Sequence, residues 1–193
     1  MSLNYHRQAI ALRPDEIELL QGLGFCLSAL SKTYQAIATV KKALDIADSF
    51  LRSPHDRRDP LFFERGRLDS LFQLAGLHYD EGDVNKAIEY MERCLVDGKA
   101  YYLEGKGERD NRDSDLDRLI LSRASLLCVR WSLDDDDPVR ARRFASEMPQ
   151  QPAQFRSAAQ ELVDSYPDDM ILDQDSDDMI QDQDSEDISS DQD

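Results

Sequence analysis

One apolar pattern occurs twice in this chain with the same internal spacing, and it restricts the fold to a helical repeat. Leu20, Leu23, Gly24, Leu27, Ala36, Val40 and Ala43 have counterparts in kind at Leu71, Leu74, Ala75, His78, Ala87, Met91 and Cys94. Small residues fall where two short helices must touch, and larger apolar residues surround them. Each unit therefore reads as an antiparallel helix pair that cannot bury its apolar face alone and must stack on a neighbour. The expected class is all-α, a solenoid of helix pairs with one continuous core.

The residues that carry a family resemblance are Gly24 and the Ala36 to Ala43 set in the first unit, and Leu74, Gly82-Asp83, Ala87 and Cys94 in the second. They resemble the tetratricopeptide repeat family, whose unit is about 34 residues. The resemblance implies a right-handed stack of helix pairs whose inner groove holds a helix or peptide of another protein, and a family that rarely performs chemistry.

The units can be bounded along the chain. Residues 1–14 read as a half repeat, the second helix of a pair whose first helix would precede it, or equally as an ordinary N-terminal capping helix, since terminal repeats are usually atypical. A first full repeat spans 17–50, with Ser31-Lys-Thr33 as its inter-helix turn. The second unit begins at 68 where the first begins at 17, an offset well beyond the family repeat, so 51–60 is read as an insertion. Asp59-Pro60 is a helix-start signal, a capping carboxylate before a proline whose φ suits a first turn, and the second repeat is assigned to 61–98. Gly98 to Asp113 reads as a loop. A degenerate pair follows at 114–149, carried by Leu116, Leu119, Ile120, Leu127 and Trp131, with a second helix start at Asp137-Pro138. Phe155, Ala158, Ala159, Leu162 and Val163 at helical spacing define a capping helix over 152–165, opened by Pro152; the apolar end of a solenoid needs such a cover.

Charge is distributed unevenly. Residues 168–193 hold 12 of the 40 acidic side chains and no Lys or Arg. Asp168-Asp-Met-Ile-Leu-Asp-Gln-Asp-Ser176 recurs as Asp177-Asp-Met-Ile-Gln-Asp-Gln-Asp-Ser185, and self-repulsion with few apolar residues predicts a disordered acidic tail over 167–193. The tail's Asp173, Asp175 and Asp177 resemble a calcium loop, but Asp178 stands where glycine is needed and Asp184 where a bidentate Glu is needed. No metal or cofactor is therefore expected.

The net charge of −17 disfavours nucleic acid binding, which needs clustered cations. No segment reaches the roughly 18 apolar residues that suggest a bilayer span, and no leader pattern opens the chain; the protein is expected to be soluble and cytoplasmic. Cys26, Cys94 and Cys128 are odd in number and lie in apolar stripes, so reduced core thiols are expected. His6, His55 and His78 form no metalloprotease or hydrolase motif, and no residue is assigned a catalytic role. His78 reads as a core histidine. The run Asp134 to Asp137 reads as a charge cluster at a helix N-terminus.

The register implied by the resemblance puts Glu18, Gln21, Phe25 and Ser28 of the first repeat and Asp69, Phe72, Gly76 and Tyr79 of the second on the inner wall. Family members that clamp acidic chaperone C-termini use Lys and Asn there. The matching positions here hold Gln21, Phe25, Phe72, Gln73 and Gly76, so that clamp is missing. With Glu18 and Asp69 nearby, a basic or apolar peptide or helix is the expected ligand.

The reading is an interaction adaptor with no chemical step. Two other classes stand beside it. In one, the acidic tail shields a basic client; in the other, the chain is a regulatory subunit or fragment of a larger repeat protein that self-associates through its N-terminal edge.

Overall fold

The computed structural model describes residues 3–52, 60–103, 111–148 and 153–165, and within these the side chains outside 102–120. Eight helices account for the described backbone: α1 Leu3–Leu12, α2 Ile17–Ala29, α3 Thr33–Arg52, α4 Pro60–Asp80, α5 Val84–Leu103, α6 Asn111–Asp134, α7 Pro138–Glu147 and α8 Ala153–Asp164. Each packs on its chain neighbour from α1 to α8, α2 also touches α4, and α8 closes on α6 as well as on α7. The chain is an all-α helical repeat.

Three equivalent turns set the geometry of the stack. Ser31, Gly82 and Asp136 each adopt a positive φ of 55°, 82° and 55° just after α2, α4 and α6. Their amides donate to the carbonyls of Ser28, Tyr79 and Leu133, and the following amides of Lys32, Asp83 and Asp137 donate to those of Leu27, His78 and Ser132. This arrangement satisfies the last carbonyls of a helix with a left-handed residue just past its end. Glycine adopts it freely, whereas Ser31 and Asp136 accept a steric cost to make the same turn. The next helix restarts identically each time, with Ala36, Ala87 and Ala141 donating to Lys32, Asp83 and Asp137. These alanines are wholly buried, as the close approach of paired helices requires.

The long offset between the two clear repeats is taken up largely by helix. α3 runs to Arg52 and α4 starts at Pro60, so each exceeds the usual helix of the family; residues 53–59 of the expected insertion lie outside the described residues. The expected loop from Gly98 onward is corrected: α5 continues to Leu103, Gly98 is buried within it and Tyr101 packs against the core. A single glycine in a well-packed helix costs only about 1 kcal/mol against alanine, too little to break it. The acidic run is corrected in part. Asp134 ends α6, Asp135 and Asp136 form the turn, and only Asp137 caps a helix, accepting from the Arg140 amide at 2.8 Å. Pro152 and the tail lie outside the described residues.

The core runs through the stack from Leu27 to Val163, with a smaller cluster of Ile17, Leu20, Ala43, Ala47, Phe50 and Phe63 beneath α1. Gly24 is required where it is: a Cβ there would lie 2.3 Å from Val40 Cγ2 on α3. Polar ties join the layers. Arg67 of α4 pairs with Asp48 of α3 and Asp97 of α5, spanning three helices.

Candidate functional site

α2, α4 and α6 share one wall of the stack. α2 meets α4 where Gln21 Nε2 donates to the Gly66 carbonyl at 2.7 Å and to Ser70 Oγ at 2.9 Å. α4 meets α6 where Tyr79 stacks on Trp131 with ring centroids 4.8 Å apart and its hydroxyl donates to Asp134 Oδ2 at 2.6 Å.

Four of the eight expected wall residues line one cleft. Phe25, Ser28, Phe72 and Gly76 surround a space of about 200 Å³ together with Gly24, Gln73, Leu77 and Asp80. Phe25 is 73% exposed, unusual for a phenylalanine, and a Cβ on Gly76 would meet nothing within 4 Å. Those two facts describe an apolar cleft open to the outside, with no side chain filling it from the Gly76 side. On its floor Gln73 Oε1 is buried without a hydrogen-bond partner among the described residues. A buried acceptor left unpaired is costly, and a donor entering the cleft would relieve it.

Glu18 and Asp69 line a second, more polar space of about 460 Å³ towards the start of α4, with Arg65 between them. Asp69 touches solvent yet sits within a concavity whose walls crowd water away. That burial, with the nearby Glu18 charge, holds its carboxyl above the ordinary carboxylate value against the opposing pull of Arg65. Asp69 and Phe72 also border a third cleft of about 230 Å³ reaching Leu121 and Arg123 of α6.

Gln21 and Tyr79 are placed differently from the other six. Gln21 is buried and committed to α4, so its amide holds the first two repeats together. Tyr79 is held by Trp131 and Asp134; its hydrogen bond to the carboxylate, and then burial, keep its phenol above the ordinary value. Of the three aromatics on this wall, Phe25 faces outward, while Phe72 and Tyr79 are partly buried against the core.

The three equivalent turns also supply a register for α6, which sequence spacing left unassigned. Counting back from Asp136 as from Gly82 and Ser31, Arg123 takes the position of Asp69 and Glu18, Leu126 that of Phe72 and Gln21, Arg130 that of Gly76 and Phe25, and Leu133 that of Tyr79 and Ser28. The wall thus carries Glu18 on α2 and Asp69 and Asp80 on α4, against Arg123 and Arg130 on α6, where Asp134 takes the position of Asp80. The signal missed in the sequence was Asp136 as a left-handed turn residue equivalent to Gly82.

A stack of helix pairs with a shared, partly apolar wall and an open cleft defines a helical-repeat architecture. The tetratricopeptide repeat family model matches residues 68–95, which span most of α4 and the first half of α5. The chain therefore carries a tetratricopeptide repeat, a type of unit that typically mediates protein–protein interaction and is typically non-catalytic. No curated protein matches the chain. Among the described residues no helix is long and apolar enough to cross a membrane.

Proposed function

We propose that this protein is an adaptor that captures a helix or extended segment of another protein on the α2–α4–α6 wall, without a chemical step. The observation that carries the reading is the cleft bounded by exposed Phe25, by Phe72 and by the bare backbone of Gly76. Aromatic side chains around an open apolar cleft are the usual energetic anchors of an interface, surrounded by contacts worth little. Glu18, Asp69 and Asp80 border this half of the wall, which favours a segment that is basic or apolar. Its backbone or side-chain donors would complete the unpaired Gln73 acceptor.

The test is selection from a random displayed-peptide library on the full chain, followed by affinity measurement on the Phe25→Ala/Phe72→Ala variant. Enriched sequences should pair apolar residues with Lys or Arg, and the double variant should weaken their binding by about 1–3 kcal/mol. Binding unchanged in that variant would remove the cleft as the capture site.

A further inference from the structure

The two arginines of the α6 stripe are complementary in charge to an acidic segment of the chain itself. We propose that the first acidic unit of the C-terminal segment, Asp168 to Asp173, docks along Arg123, Leu126, Arg130 and Leu133.

The stripe follows from the register. These four residues stand at intervals of three and four along α6, the spacing that lines up one helix face. Arg123 and Arg130 are exposed, and neither makes a hydrogen bond or ion pair among the described residues. Three other arginines of the body are committed, Arg67 to Asp48 and Asp97, Arg140 to Asn85 and Arg143 to Glu92. Two uncommitted cations with partly buried leucines between and beside them present alternating charge and apolar surface.

The segment has the complementary order. Asp168 and Asp169 are followed by Met170, Ile171 and Leu172 and then by Asp173. Beside Arg123, Leu68, Phe72, Leu121 and Ala124 form the apolar part of a cleft of about 230 Å³ that Asp69 also borders, a seat for one of the three apolar side chains. Position favours the contact. α8 packs on α6 and ends at Asp164, so the segment leaves the body from a helix adjacent to the one that carries the stripe. An extended chain covers about 3.3–3.6 Å per residue, and so short a tether holds its ligand at millimolar effective concentration. Weak pairs suffice under that condition.

Glu18 and Asp80 repel the same segment from the region of the Phe25 cleft, which keeps that cleft open. The proposal rests on the helix register and on no partner, so it stands or falls separately from capture in the Phe25 cleft.

Paramagnetic broadening tests it on the full chain. A nitroxide is attached at Ser176→Cys in a Cys26→Ala background; Cys94 and Cys128 are buried and stay unlabelled in the native protein. At low salt the amides of residues 123–133 should lose intensity several-fold more than those of α2 and α3. The loss should fade at about 0.5 M salt, where screening acts within a few ångströms. It should also fade in Arg123→Gln/Arg130→Gln and, independently, in Asp168→Asn/Asp169→Asn/Asp173→Asn. Broadening that merely decays with distance from residue 165, that centres on another face, or that persists in both variants would overturn the proposal. So would equal broadening when labelled protein is mixed with unlabelled isotope-enriched protein, since the occupant would then be a second copy.

Discussion

Two glycines on the same face of the stack should respond oppositely to the same change. Gly76 of α4 and Gly24 of α2 both lie inside helices and both border the Phe25 cleft. Alanine in a helix interior is favoured over glycine by about 0.5–1 kcal/mol, because glycine loses more freedom on folding. At Gly76 that gain is unopposed, since the new Cβ meets nothing within 4 Å. At Gly24 the Cβ falls 2.3 Å from Cγ2 of Val40, a wholly buried side chain with a stiff χ1. Relief requires α2 and α3 to part, at a cost of about 1–3 kcal/mol typical of overpacking. The net expectation is a gain of about 0.5–1 kcal/mol for Gly76→Ala and a loss of up to about 2.5 kcal/mol for Gly24→Ala. Urea unfolding followed by circular dichroism, with unchanged slopes, measures both. Gly76→Leu extends the experiment: it should keep the fold while its side chain occupies the cleft and abolishes capture of selected peptides. A destabilised Gly76→Ala, or a Gly24→Ala stabilised as much as Gly76→Ala, would refute the assignment of an open wall at one and a helix contact at the other.

Three further outcomes follow from the packing. Arg67→Met leaves the Asp48 and Asp97 carboxylates without their shared cation and should cost about 1–3 kcal/mol in the same urea assay; Arg67→Lys should recover only part, since one ammonium lacks the fork that reaches both. Burial, and then the nearby Lys86 charge, hold the His78 imidazole below its ordinary value, so the folded chain resists a proton that the unfolded chain accepts. Stability is then complete above the unfolded value of about 6.5 and declines as pH falls below it, and His78→Phe should flatten that decline; an identical slope would sink the argument. Native alkylation followed by mass spectrometry should modify half-exposed Cys26 first. Burial pushes the Cys94 thiol up to about 12 and raises Cys128 further from its reactive form, so both should react only after unfolding.

Helix pairs were legible because their signal is local: small residues at Gly24, Ala36 and Ala87 mark contacts, and the apolar spacing around them has the helical period. Cleft residues Phe25, Ser28, Phe72 and Gly76 followed from the same register. What spacing alone missed depended on contacts across helices. Gln21 reads as a wall residue until Gly66 and Ser70 of α4 are seen to claim its amide. Tyr79 reads as an anchor until Trp131 and Asp134 of α6 are placed against it. Gly98 reads as a loop start, since nothing local states that α5 is packed enough to carry a buried glycine. The α6 register was hidden because its turn uses Asp136 in place of glycine and its small residues include Ser125 and Ser132, which break the apolar pattern while remaining buried.

Photo-crosslinking tests the central claim most directly. Benzoylphenylalanine replaces exposed Phe25 at the mouth of the cleft and, separately, Val96 on the exposed face of α5, and each protein is irradiated with a peptide selected on the parent chain. The account predicts a crosslinked product from position 25 and none from position 96. A product from position 96 alone would move the binding surface off the α2–α4–α6 wall.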